Sequence, residues 1–468
     1  MKKQMMLWVG IAQVTCCYAE VRDYNNNVLV PPRRNIVLFN NATNVFQLIK
    51  ANSPLRQWAV NQRKGNQAGG GVLKLASAAA GTQTVVRAAV VNPDQTLTVA
   101  GSIVSGTYIL VARLFQNESG TDSSYLNTSN TNTITGNTGA QLITSLVPDL
   151  SGGYYLGGYA NGGGVTKGIL GHVDNQGVFI TSFGSNGIQQ TLGVTVGYIG
   201  GIARQSTGNI VYAGISVLGG NLVVGRVTSS GAIDTTFTIY NATSTGINIP
   251  ALTNPLGIAV DNQDRIIVVG ADLTPNIVVA RFNPNGGLDT TFNATGATPG
   301  VFKVAGDGYA VALLADNSII AAGDDNGGAP FNFKIIKVTP QGSLDTTFGN
   351  GTGMVTSNPI PGNAGNNANA YAVTVMPNGN IVAVGPAVNA GGAGNTNFGI
   401  VMVSPAGVLF PQFFTTGYFA YSFATNPNTN AYTVSYQGGI DPSLVVGGYD
   451  AAGAGSAYGL ILADPLNG

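Results

Sequence analysis

The sequence predicts an all-β fold: a seven-bladed β-propeller of four-stranded antiparallel blades, its last blade closed by an N-terminal strand. Three observations predict it. A short tract recurs, clearest as Gly287–Phe292 (GLDTTF), Ser343–Phe348 (SLDTTF) and Ala232–Phe237 (AIDTTF), and more eroded at Thr121–Tyr125, Val178–Phe183 and Val408–Phe413. A glycine closes an apolar run at Gly101, Gly158, Gly214, Gly270, Gly323, Gly385 and Gly448, at intervals of 53 to 63 residues. Self-similarity at such a period marks a repeat architecture and overrides the several domains that length alone suggests. Finally, each unit divides into short strands separated by turn residues, which is a blade rather than a solenoid coil.

One unit shows the division. Tyr309–Leu314 (YAVALL) alternates as a half-buried strand does. Asp316-Asn317 is a turn signal, and Ile319–Ala322 is a second strand closed by Gly323. A glycine-rich loop leads to a third strand, Phe333–Val338, then a turn at Pro340-Gln341-Gly342. Met354–Thr356 begins a fourth. The glycines ending the second strands are expected to mark close packing or a bulge. The small residues of the first strands are expected to fit the crowded channel wall.

The last repeat supplies three strands, and Gly69–Leu75 matches the missing fourth. Pairing them closes the ring and removes the open edges. The propeller is therefore expected over 67–468, with the first repeat starting near Thr84 and the closing strand near 69–75. Residues 20–66 are left as an N-terminal extension, with a short helix or cap expected over Asn44–Val60. Residues 1–19 read as a signal peptide: Lys2 and Lys3, an apolar run Met5–Val14, then small Cys17 and Ala19 before Glu20. The run is far short of the ~20 apolar residues of a membrane anchor. The expected location is secreted, periplasmic or cell-surface.

Both cysteines, Cys16 and Cys17, fall in that leader, so no disulfide or thiolate site is expected beyond it. Charged residues make up 9% and net to zero, which offers no basic patch for nucleic acid. His172 is the single histidine, no H-E-x-x-H occurs, and the glycine pairs lack a G-K-[ST] ending. A quinone-dependent dehydrogenase is disfavoured too, with Trp58 the sole tryptophan past the leader. No catalytic residue, metal ligand or cofactor is assigned. Asn-x-Ser/Thr triplets stand at Asn41, Asn117, Asn127, Asn241 and Asn293.

Two columns of the repeat carry charge. A basic residue ends strand three at Arg113, Arg226, Arg281 and Lys337, and an aspartate follows eight or nine positions later at Asp122, Asp234, Asp289 and Asp345. Where the aspartate gives way to Ile180 or Phe410, the basic position holds His172 or Met402. The two are expected to meet across the hairpin joining strands three and four, with the aspartate also fixing the turn. A calcium site is the poorer reading, because calcium takes six to eight oxygens and each repeat brings one carboxylate. The aromatic ending each tract is expected to pack between blades.

The G-x-L-D-T-T-F-G-x-x-G-x-V pattern, strongest at Leu288–Phe292 and Leu344–Gly353, resembles the delta-60 repeat of bacterial secreted and surface proteins. The resemblance covers roughly 84–468. It implies a propeller-like fold and no particular activity.

The expected function is a non-catalytic scaffold, not an enzyme, that binds protein or glycan at the cell envelope through variable loops such as Asp324–Pro330 and Pro386–Asn397. No nucleic-acid or integral-membrane partner is expected. The alternative is a carbohydrate-active enzyme, a glycoside hydrolase or lyase, using carboxylates at the propeller face. Asp324-Asp325 is the best local cluster for it, though a solvated loop explains that pair more simply.

Overall fold

A computed structural model describes residues 84–463, apart from the segments 104–107, 115–140, 242–256, 327–330, 361–366, 389–395, 422–428, 438–442 and 451–456 and a few shorter ones; before residue 84 it describes the strands within 21–49 and at 70–75. The expected leader and most of the extension lie outside the described residues. Within the extension, Val45–Ile49 pairs with Ile36–Asn40 as a hairpin, where a helix was expected. Its sequence, VFQLI, is β-branched and aromatic, and such residues favour a pleated strand. No helix occurs among the described residues.

Seven sheets follow one another in chain order. The fifth shows the pattern: Asp307–Leu313, Ile319–Asp324, Phe333–Val338 and Met354–Ser357, each antiparallel to the next. Six of the sheets are four-stranded blades of this kind. The first has three strands, Thr84–Val91, Leu97–Ile103 and Tyr108–Leu114. The expectation of seven four-stranded blades is therefore corrected to six among the described residues, because the eroded tract that would continue the first sheet lies within 115–140. In the seventh sheet the outer strand is Gly70–Leu75, paired with Ala457–Ala463. The ring closes at this seam, where Ser435 Oγ donates to the Ala89 carbonyl of the first sheet at 3.0 Å.

The core is a set of apolar slabs between neighbouring sheets. Val211, Val224, Val268 and Phe282 join sheets three and four; Ile267, Val279, Phe292 and Ile336 join four and five. Second strands such as Ile266–Ala271 are buried along their whole length. Both faces of a blade meet a neighbour, so these strands are continuous apolar runs rather than alternating ones.

From sheet two to sheet six the repeated tract latches one blade to the next. The N–H that follows the aromatic donates to a turn carbonyl of the next sheet: Gly184 to Ser230, Thr238 to Asn285, Asn293 to Gln341 and Gly349 to Ala406, at 2.7–3.1 Å. The aromatic rings, Phe183, Phe237, Phe292 and Phe348, are buried beneath those turns. Gly286, at φ +97°, shows why the turn needs glycine: a Cβ there would stand 2.6 Å from the Phe237 ring.

Charge reinforces the latch. Arg226 Nε meets Asp234 Oδ2 at 2.8 Å, Arg281 meets Asp289 at 2.7 Å, and Lys337 Nζ meets Asp345 at 2.8 Å. The other oxygen of each aspartate accepts the N–H and hydroxyl of the threonine two residues on, which fixes the turn. Arg226 and Arg281 also donate to Pro284 and Pro340 carbonyls of the next sheet and lie over Phe237 and Phe292. Arg113 Nε bonds Thr96 Oγ1 at 3.0 Å, while Asp122 lies outside the described residues.

The enclosed pair matters most. Asp289→Ala strands the buried Arg281 and is expected to cost about 3–5 kcal/mol. Asp345→Ala frees a cation with more access to water and is expected to cost about 1 kcal/mol. Denaturant midpoints compare them. Asp345 is held down to about 2, first by its hydrogen bonds from Lys337 and Thr347. Its contribution is thus full above the ordinary carboxylate value and lost as pH falls towards 2.

Candidate functional site at the mouth of the central channel

The innermost strands of five sheets carry one residue too many at the same place. In sheet five, Gly308 pairs with Gly323 and Ala310 with Ala322, which leaves Tyr309 unpaired. The same slip leaves Arg87, Thr144, Gly200 and Tyr432 unpaired in sheets one, two, three and seven. The blade glycine makes the slip feasible. A Cβ at Gly323 would lie 1.8 Å from the Asp307 oxygen, and one at Gly385 would lie 1.7 Å from the Asn369 oxygen. A bulge re-aims the side chain of its extra residue. Here the extra residues turn inward, and Arg87, Thr144, Gly200, Tyr309 and Tyr432 line one central cavity with Tyr371 and Tyr198.

That cavity has a volume of about 220 Å³. It lies towards the face where first strands begin and second strands end, opposite the hairpins that carry the charge pairs. Its wall is an arc of rings. Tyr309 meets Tyr371 edge-on at 5.2 Å between centroids, Tyr371 stacks with Tyr432 at 5.5 Å, and Tyr432 stacks with Tyr449 at 5.7 Å. The Arg87 guanidinium lies 3.5 Å over the Tyr432 ring. The channel wall is therefore more than the small side chains expected of it: tyrosines from four sheets line part of its mouth.

Burial keeps these phenols protonated. It raises Tyr309, Tyr371 and Tyr432 and pushes Tyr198 up to about 12. They are neutral rings and hydrogen-bond donors at physiological pH, not bases. Tyr309 is fixed by a donation to Asp324 Oδ2 at 2.7 Å, and Asn369 Nδ2 donates to the same oxygen at 2.6 Å. Asp324 is 2% exposed, so the reading of Asp324-Asp325 as a solvated loop is corrected for its first member. It ends a buried strand and positions a channel tyrosine. Asp325 instead clasps Asn332 by its backbone N–H at 2.9 Å and its amide at 2.8 Å.

The pair does not form the carboxylate couple that glycoside hydrolysis uses across a cleft. Asp324 pairs in register with Asp307 on the neighbouring strand, and no carboxylate among the described residues lines the cavity. Asp307 is raised to about 6, by burial first and then by the charge of Asp324. On the opposite side of sheet two, His172 bonds Asp149 at 2.8 Å and stacks on Tyr155. Ser151 donates to that same aspartate rather than to the imidazole, so no activated serine results. Among the described residues no cluster of three or more His, Cys, Asp or Glu could hold a metal.

The channel residues were missed from sequence, yet a signal existed. Arg87, Thr144, Gly200, Leu256, Tyr309 and Tyr371 each stand fourteen positions before a blade glycine, and Tyr432 sixteen before the last. Leu256 lies outside the described residues.

A family model described as "Domain of unknown function (DUF5122) beta-propeller" matches residues 264–292 and 314–348. That supports a propeller repeat; the matching description does not carry the delta-60 name. No curated protein matches. The chain is similar to the PQQ-bound form of an aldose sugar dehydrogenase from Streptomyces coelicolor, at 13% identity and a TM-score of 0.37, covering 68% of this chain and 92% of that one. It is similar to the polysaccharide lyase Uly1 at 10% identity and 0.41, covering 80% and 89%. A gluconolactonase from Xanthomonas campestris follows at 9% and 0.34, covering 84% and 90%. These propellers are named as enzymes, and the expectation that this chain is not one is withdrawn on that finding. At such scores none of them assigns it an activity.

Asp307 gives the blade a pH signature. Its raised value means that folding favours the protonated acid, so stability falls as pH rises from about 4 to about 6 and stays reduced above. Asp307→Asn is expected to raise the melting temperature at neutral pH and to leave it unchanged near pH 4. An equal gain at both would show that the carboxyl is not titrating there.

Proposed function

We propose that this chain is a ligand-binding propeller whose site is the tyrosine-walled mouth of the central channel, and that the ligand is a carbohydrate. The observation that carries this is the convergence of unpaired bulge residues from separate blades into one cavity. A bulge that only relieved strain would have no reason to place rings on a common wall. Flat neutral phenols offer apolar faces to the C–H faces of a sugar, with hydroxyls at their edges for its hydroxyls. At about 220 Å³ the cavity is smaller than the ~300–1,000 Å³ that drug-sized ligands occupy. It suits one ring, a chain end rather than the middle of a polymer.

We further read the three-stranded first sheet as the seventh blade, since its bulge residue Arg87 shares the cavity with the other six innermost strands. An extracytoplasmic setting fits a chain whose cysteines are confined to positions 16 and 17.

An oligosaccharide array identifies binders, and titration calorimetry measures them. Tyr371→Ala and Tyr432→Ala are each expected to weaken binding by about tenfold. Leu150→Ala, an exposed position at the turn that follows the first strand of sheet two, is expected to change nothing. Equal affinity in all three variants would place the ligand elsewhere.

A further inference from the structure

We propose that the channel mouth selects acidic sugars, and that Arg87 reads the carboxylate. This rests on the carbohydrate reading above and narrows it to uronate-bearing chain ends. Arg87 is the only cation lining the cavity among the described residues. Its Nε is buried and has no hydrogen-bond partner. No hydrogen bond or ion pair joins its guanidinium to any described residue; its contact is the face of Tyr432. Other basic residues hold acids: Arg226, Arg281 and Lys337 each hold an aspartate, Lys303 holds Asp272, and Arg265 holds Asp261; Arg204, whose Nε is also buried without a partner, does not line the cavity.

A guanidinium stacked on a ring keeps its N–H groups in the ring's plane direction, free at the edge. Five donors in a fixed fork match the two oxygens of a carboxylate. Asp324, which fixes Tyr309 at the mouth, already accepts from Tyr309, Asn369 and the Asn326 N–H. The site thus presents one unsatisfied charge beside a row of rings, within a space the size of one sugar. A uronate end would bring its ring to Tyr371 and Tyr432 and its carboxylate to Arg87. Neutral sugars would offer the guanidinium hydroxyl acceptors but no counter-charge, and so would bind less tightly.

The test uses the full chain and an array of uronate-terminated oligosaccharides, each beside its carboxyl-reduced neutral counterpart. The expected result is that the acidic member binds at least about tenfold more tightly, with the gap shrinking as salt rises. Arg87→Gln is expected to close the gap. Arg87→Lys, which keeps the charge but not the fork, is expected to hold part of it and serves if the glutamine variant does not fold. Equal binding of acidic and neutral partners by the wild type would overturn acid selection while leaving a carbohydrate site in place. Binding of neither would overturn both readings. An undiminished acidic preference in both arginine variants would assign the carboxylate to another residue and overturn the role of Arg87.

Discussion

The hydrogen bond from the N–H after a repeat aromatic to the turn of the next sheet, made over a buried phenyl ring at four joints, is the contact on which this ring of sheets depends. A blade by itself has two apolar faces and cannot be stable in water. Each latch fixes the angle at which one blade offers a face to the next, so that valines and isoleucines from two sheets fill one slab. The arginine–aspartate pairs sit at the same joint. Their role is to hold the turn in place while the aromatic does most of the apolar burial. In sheet six, Met402 and Phe410 replace the pair, and Phe413 packs in one cluster with Val434 and Leu444 of sheet seven. Charge at the joint is therefore replaceable, whereas the ring and the turn are not.

At the other end of each blade a different constraint acts. Glycine lets the second strand press against a carbonyl of the first, and the first strand takes up the slip with one extra residue. The same slip recurs in blade after blade, so it gives a set of inward positions at one height around the channel. Nothing in blade packing fixes what those positions hold. They carry arginine, threonine, glycine and tyrosine, a variety the buried columns do not tolerate. A scaffold column is uniform because it meets the same neighbour in each blade. A column facing a shared space answers to whatever occupies that space.

The two ends are coupled through the blade. Asp324 ends a strand whose middle is core, and its buried carboxylate anchors Tyr309 in the channel while raising Asp307 beside it. Positioning a channel ring thus costs sheet five a pair of close carboxylates on adjacent strands. Such a local cost calls for a compensating gain elsewhere, and the carbohydrate site proposed at Tyr309 would supply it.

How much was legible follows from which interactions are local. The sequence by itself determined the all-β repeat, the strand-turn units, the aromatic and glycine columns, and the covariation of Arg226, Arg281 and Lys337 with their aspartates. Each depends on periodicity or on residues a few positions apart. The strand at Val45–Ile49 was misjudged because a five-residue apolar run does not declare its period. Asp324 was misjudged because the partners that bury it, Tyr309 and Asn369, come from another strand and another blade. The inward column was written in the chain, but its meaning was not. Only the tertiary structure decided that Arg87 and Tyr432, 345 residues apart, stand face to face, because ring closure is what brings the first sheet against the last.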